Sequence, residues 1–255
     1  MDLLEHNRLA WNRESRKGNV WTVPVKAEAL EAARRGEYSL LLTPYKPVPK
    51  EWLGEVGGKR ILCLASGGGQ QGPLLAAAGA QVTVFDNSDA QLKADETLSR
   101  EHDLGIRTVR GNMQDLGCFE DGSFDLVFHP VSNCFIDDIR PVWRESCRVL
   151  AKGGSLLSGF CNPLIYMIDW ELAERSGACV LKYAIPYSDL ESLPTEEKEK
   201  YTREQIPFEF GHSLTDQIQG QIDAGFLIGG FYEDKGDESL DPYTDSFIAT
   251  RAIKR

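Results

Sequence analysis

The stretch RILCLASGGGQQGPLLAAAGAQVTVFD, residues 60–86, constrains this chain more than any other. RILCLA is an unbroken apolar run, the pattern of a strand buried on both faces. A turn with glycines at 67, 68, 69 and 72 follows. PLLAAAGA then reads as a helix, with Pro73 in its first turn and Gly79 near its end. QVTVFD is a second strand, so the unit is a parallel crossover, which strand twist makes right-handed. The same rhythm continues. SDAQLKADETLSREHDLG is a helix opened by a capping box of Ser88 and Gln91. IRTVRGN, FDLVFHP and SLLSGFCNP are the third, fourth and fifth strands, with the helix DDIRPVWRESCRVLAKGG before the last. The implied architecture is α/β, a doubly wound, mostly parallel sheet with helices on both faces. After the helix LTDQIQGQIDAGF come two strands, LIGGFYED and DSFIATRAIKR. With only a turn-rich segment between them, they are expected to pair antiparallel.

The flanks differ from this core. Residues 1–59 read as a helical cap and connector. Leu4, Leu9 and Trp11 recur at helical spacing, VKAEALEAARRG is a second helix ending at Gly36, and TPYKPVPKEW is extended. Residues 60–255 form the main domain, and 165–212 are long enough to be a substrate-side lid insertion. Within them TEEKEKYTREQ is a solvated helix face. Acidic residues outnumber basic ones, 39 to 28, for a net charge of -11. That balance repels phosphate backbones and disfavours nucleic acid as a partner. The charged N-terminus is not a secretory signal, and no apolar run is long enough to cross a membrane. None of the six cysteines forms a C-x-x-C pair. Reduced thiols in a cytoplasmic protein, with no metal site, are the expectation.

The glycine turn is a literal G-x-G-x-x-G at Gly67, Gly69 and Gly72, with Asp86 19 positions after the first glycine. By pattern it is a nicotinamide-dinucleotide loop. The physics is less specific. Glycines let a backbone approach a ligand closely, and amides at a helix start favour an anion, whether a pyrophosphate or an amino-acid carboxylate. Asp86 at a strand end suits two ribose hydroxyls in either case. Three features point away from a dinucleotide. Some sixty residues precede the first strand, GNMQDL leads into EDGSFDLVFHP, and the chain closes with the paired tail strands. None of the eight tyrosines has a lysine four positions on, as a short-chain dehydrogenase requires.

Five blocks in order, ILCLASGGGQQG, VTVFDNSDAQL, VRGNMQDLGCFEDGSFDLVFHP, VWRESCRVLAKGGSLL and DAGF, carry a resemblance. From Arg60 to Arg255 the chain resembles the class I S-adenosylmethionine-dependent methyltransferases, in the small-molecule group related to the ubiquinone and menaquinone C-methylases. The resemblance implies a seven-stranded Rossmann-like sheet with one antiparallel strand. It implies that Ala65, Ser66, Gly67, Gly68, Gly69 and Gln70 cradle the methionine end of S-adenosyl-L-methionine. Asp86 would hold the ribose, Asn87 and Gln91 would lie beside the adenosine, and Asn112 and Met113 would flank the adenine. His129 would face the transferred methyl. The chain departs from the family pattern at Cys63 and Asn112, where an acid is usual or common, and at Ala65, where glycine is usual.

The sulfonium is already activated, so chemistry needs alignment first and a base only for some acceptors. His129 and His212 are the candidate bases. Trp11 and Tyr38 either cover the cofactor or pack the core, Tyr183 and Tyr187 either line the acceptor pocket or pack the insertion, and Asp115 either closes a turn or takes part in function. HPVSN stands where enzymes acting on exocyclic amines carry Asn/Asp-Pro-Pro-aromatic, and no Pro-Cys nucleophile is present. The expected partner is a small-molecule acceptor, with the protein a monomer or homodimer. Two other readings stay open: an NAD(P)-dependent oxidoreductase, and a non-catalytic cofactor-binding subunit, suggested by Cys63 and Ala65.

Overall fold

The computed structural model describes residues 1–236 and 240–255. Helix α1 (Leu3–Lys17) is capped by the Asp2 carboxylate on Glu5 N–H, and α2 (Ala27–Arg34) ends before Gly36 at φ +79°. A one-turn helix, α3 (Lys50–Leu53), closes the proline-rich connector. The alternating core comprises β1 (Arg60–Leu64), α4 (Gln71–Ala77), β2 (Gln81–Asp86), α5 (Asp89–His102), β3 (Arg107–Arg110), β4 (Phe124–His129), α6 (Arg140–Val149) and β5 (Leu150–Cys161). Next come α7 (Trp170–Ser176), β6 (Tyr187–Ser188), α8 (Asp189–Ser192), α9 (Thr195–Glu204) and β7 (Phe210–Gly211). A π-helical turn, Thr215–Gln219, runs into α10 (Gly220–Asp223), before β8 (Phe226–Asp234) and β9 (Phe247–Lys254).

Seven strands form one sheet in the order β3-β2-β1-β4-β5-β9-β8. Strand β9 runs antiparallel to both β5 and β8, and every other pairing is parallel. This is the expected Rossmann-like sheet with its single reversed strand. Part of the β8–β9 connection, residues 237–239, lies outside the described residues. The strand order reverses between β1 and β4, and such sheets bind ligands beyond the carboxyl ends of the strands at that point. The strand β5 starts earlier than SLLSGFCNP suggests. Phe124 pairs with Leu150 and Leu126 with Ser155, so residues 151–154 bulge out, with Gly153 at φ +78°.

Two cores sandwich the sheet. Leu30, Leu75, Leu92 and Leu98 from α2, α4 and α5 pack against Ile61 and Val84 on one face. Trp143 and Val142 of α6 pack with Leu62, Leu64, Leu156 and Phe226 on the other. A third cluster joins Cys134 and Cys161 to Ile165, Tyr166, Ile168 and Tyr187 of the segment after β5.

Helix α1 docks differently from the sequence expectation. Leu4 and Leu9 stay 39% and 37% exposed, and the helix buries His6, Asn7, Ala10 and Asn12 instead. The docking is polar because its partners are backbone groups. Asn7 Nδ2 donates to Phe135 O (2.8 Å) and Phe208 O (3.1 Å), and its Oδ1 accepts from Phe208 N–H (2.9 Å). His6 Nε2 donates to Ile206 O (2.8 Å), and Asn12 Oδ1 accepts from Ser88 Oγ and Ala90 N–H (2.8 Å each). A buried amide with such partners substitutes for apolar packing.

Candidate cofactor and acceptor site

A cavity of about 810 Å³ opens where the sheet order reverses. The glycine turn contributes Ala65, Ser66, Gly67 and Gln70, and the end of β2 contributes Asp86 and Asn87. Gln91, Asn112 and Met113 continue that wall. Trp11 of α1, a strap including Val20, Trp21, Val23 and Val25, and the segment after β4 cover it. Ile165, Tyr166, Glu209 and Phe247 line it from the tail and the 165–212 segment.

The turn is held from beneath by two carboxylates. Asp86 Oδ2 accepts from Gly67 N–H (2.9 Å) and its Oδ1 from Ser88 N–H (2.8 Å). Asp95 of α5, fully buried, accepts from both Gly68 N–H (3.0 Å) and Gly69 N–H (3.2 Å) through Oδ2. Its Oδ1 has no hydrogen-bond partner among the described residues. Burial raises the Asp95 carboxyl to about 7, against the opposing pull of the two amides. Burial also raises Asp86, opposed by its backbone donors, and pushes the Cys63 thiol up, with Asp95 adding to the effect. Asp95 therefore places a carboxyl beneath the turn, beside Cys63 and behind the cavity lining. The sequence reading missed it. The signal was a charge between Leu92 and Leu98 on the helix's buried stripe.

These bonds correct the expectation of amides open to an anion. The N–H groups of Gly67, Gly68 and Gly69 are used inside the protein, and two carboxyl groups lie beside them. The glycines answer to neighbours on the same chain. A Cβ at Gly67 would sit 2.9 Å from Gln91 Cβ, at Gly68 3.2 Å from Thr22 Cα, and at Gly69 3.0 Å from Pro24 Cβ. Val25 N–H donates to Gly69 O (2.8 Å), and Gln70 Nε2 donates to Val20 O and Val23 O, binding strap to turn.

The opposite chemistry marks another wall. Tyr166 Oη donates to Glu209 Oε2 (2.9 Å) and reaches Cys161 Sγ at 3.6 Å. The Cys134 thiol is raised by its hydrogen bond to Cys161 and by burial, so it stays protonated beside the tyrosine. Phe135, edge-on to Trp11 at 4.9 Å, adds apolar surface.

A protein family described as a methyltransferase domain matches residues 62–158. The uncharacterized methyltransferase YbaJ of Bacillus subtilis (strain 168) is 50% identical over 252 residues, 99% of this chain and 98% of the relative. The chain belongs to the class I S-adenosylmethionine-dependent methyltransferases. Solved structures agree in fold. A putative S-adenosylmethionine-dependent methyltransferase from Listeria monocytogenes superposes with a TM-score of 0.64 at 17% identity, over 81% of this chain and 94% of the other. One from Mesorhizobium loti does so at 0.61 and 19%, over 80% and 95%.

The methyltransferase keeps its two candidate bases away from the cavity lining. His129 is fully buried at the end of β4, its Nδ1–H donating to Leu64 O (2.9 Å), with Trp143 edge-on at 6.1 Å. Its Nε2 has no partner, and burial lowers its pKa to about 4, so it is neutral at pH 7. His212 Nε2 donates to Asn133 O (3.0 Å), and burial lowers it too. Tyr38 packs against the first core. Tyr183 and Tyr187 pack in the insertion, Tyr187 stacking on Tyr166 at 5.5 Å and donating to Asp189. Ile165, Tyr166 and Glu209 are the residues of that region that line the cavity, and the sequence reading assigned a role to none of them. Asp115 closes a turn on Gly117 N–H and borders a separate shallow hollow. Asn112 bonds Gln114 through both side-chain atoms, and Asn87 Nδ2 donates to Leu4 O.

The residues present fit the methyl donor. Ser66 Oγ, at the cavity, is buried without a hydrogen-bond partner among the described residues. Each Asp86 oxygen accepts one bond from the loop or helix start and keeps a lone pair for a ribose hydroxyl. Among the described residues no cluster of His, Cys, Asp and Glu could hold a metal, and no helix is long and apolar enough to cross a membrane.

Proposed function

We propose that this protein is a cytoplasmic enzyme, a monomer or homodimer, that methylates a small-molecule acceptor. The observation that carries the reading is the carboxyl floor of the glycine turn. Asp86 and Asp95 take up its amides, which leaves none for a dinucleotide's pyrophosphate, and Asp86 at the cavity suits a cofactor's ribose hydroxyls. When bound, that cofactor supplies an activated methyl group. Ala65, Ser66, Gly67 and Gln70 hold its methionine end, Asp86 the ribose, and Asn87 and Met113 border the adenosine. Gly68, Gly69 and Asn112 shape that wall through their contacts with the strap, Asp95 and Gln114, and Gln91 through its carbonyl, which accepts from Gly68 N–H. His129 and His212 support the walls.

The protein's contribution is alignment and exclusion of water. The strap and α1 close over the cofactor wall, and residues 165–212 act as the acceptor-side lid. Aligning two reactants in this way is worth up to ~7–11 kcal/mol. Methyl-labelled S-adenosylmethionine and a cell extract split by size test the reading. Label is expected in the small-molecule fraction. Label confined to RNA or protein would overturn the small-molecule assignment.

A further inference from the structure

We propose that Glu209, seated by Tyr166, is the acceptor-binding group, and that it takes a hydroxyl or amine on a compact, apolar molecule carrying no phosphate or carboxylate. The inference rests on the methyltransferase reading and names the acceptor class for that site.

Glu209 is built into place. Its N–H donates to Asp189 Oδ2 (2.7 Å) and its carbonyl accepts from Asp189 N–H (3.1 Å), so its backbone is clamped on both sides. Pairing of Tyr187 with Gly211 and Ser188 with Phe210 extends the clamp. Tyr166, whose hydroxyl donates to Glu209, is wedged just as firmly. Tyr187 stacks on one side of its ring, and a Cβ at Gly211 would lie 2.7 Å from its Cγ and Cδ2. This carboxylate is therefore preorganised in a cavity whose nearby surface is Cys134, Phe135, Cys161, Ile165 and Phe247. A carboxylate presents about four acceptor sites, and in apolar surroundings a donor gains most from meeting it.

Anionic acceptors find no counterpart. Among the described residues lining the cavity, Arg8 is the one lysine or arginine. Its guanidinium is already bound to both oxygens of Glu5 (2.7 and 2.8 Å) and to Asp89. A phosphate or carboxylate on the acceptor would face Glu209 uncompensated.

The step balances without further reagents. The acceptor's oxygen or nitrogen forms the new bond to the methyl carbon, and the sulfur–carbon bond breaks with its electron pair kept on sulfur. The proton displaced from the acceptor passes to the Glu209 carboxylate. Tyr166 is a positioning residue in this scheme.

Four probes on one ring, phenol, benzylamine, benzoate and phenyl phosphate, test the proposal by ligand-observed NMR titration at millimolar concentration. Each is titrated with S-adenosylhomocysteine saturating, on wild type, Glu209→Gln and Tyr166→Phe. Phenol and benzylamine are expected to bind and the two anions not. Glu209→Gln should weaken benzylamine at least tenfold and phenol severalfold, and Tyr166→Phe should weaken both, with S-adenosylhomocysteine affinity unchanged in each variant. Benzoate binding as tightly as phenol, no binding by any probe, or donor affinities untouched by Glu209→Gln would each overturn the inference. Absence of S-adenosylhomocysteine binding in the wild type would instead strike the methyltransferase reading itself.

Discussion

At the residue scale, two buried titratable groups, Asp95 and His129, contribute to the pH dependence of stability in opposite directions. Asp95 is raised to about 7, so between the ordinary carboxylate range and pH 7 the folded state holds a proton that the unfolded state has lost. Its contribution to stability falls as pH rises through that window, by up to ~1.4 kcal/mol per pH unit. His129 is lowered to about 4, so between pH 4 and the ordinary histidine value the unfolded state binds the extra proton. Its contribution rises with pH, at a similar limiting slope of ~1.4 kcal/mol per unit. Their effects largely cancel from pH 4 to 6.5 in the wild type. Asp95→Asn is expected to unmask the histidine, so urea unfolding of that variant should weaken steeply as pH falls from 6.5 towards 4. A variant profile parallel to that of the wild type would show that Asp95 is not held protonated beneath the loop.

The same residue shows where sequence reading stops. Cys63 signals a missing acid, and the carboxyl that braces the turn beside it lies 32 positions later on another element. Only the packing of α5 against the turn brings the two together.

At the scale of elements, the parallel core was legible because β1, β2 and β4 are largely apolar runs bounded by turn residues. Asp86 was legible because it ends such a run. The N-terminal elements were not, because α1 is held through hydrogen bonds to backbone groups about 130 and 200 residues away, which no apolar periodicity records. The pairing of Tyr166 with Glu209 was hidden for the same reason, since it crosses 43 residues and depends on the short β6–β7 pair. Asn7→Ala should therefore cost ~2–4 kcal/mol of stability, for losing buried bonds to Phe135 and Phe208. Leu9→Ala, on the exposed side, should change denaturant midpoints little, within ~0.5 kcal/mol. Equal losses for the two would mean that α1 docks through its apolar residues after all. In the turn beneath the strap, Gly68→Ala combines φ +108° with a Cβ 3.2 Å from Thr22 Cα. Strain of ~1–3 kcal/mol should loosen the strap, read as faster proteolysis within residues 19–25 at unchanged α5 protection.

For the whole molecule, cap, sheet and insertion converge on one cavity at the point where the strand order reverses. Ligand binding should then stabilise the fold as a unit. S-adenosylhomocysteine at a hundred times its dissociation constant should add about 2.7 kcal/mol to unfolding, a shift in Tm readable by calorimetry. The central claim is that the literal G-x-G-x-x-G serves a sulfonium cofactor, because the carboxyl groups of Asp86 and Asp95 occupy its amides. Calorimetric titration with S-adenosylmethionine, S-adenosylhomocysteine and NADH, on wild type and Asp86→Asn, tests it most directly. The account predicts binding of the two sulfur compounds, at least tenfold weaker in the variant, and none of NADH. Binding of NADH alone would contradict it.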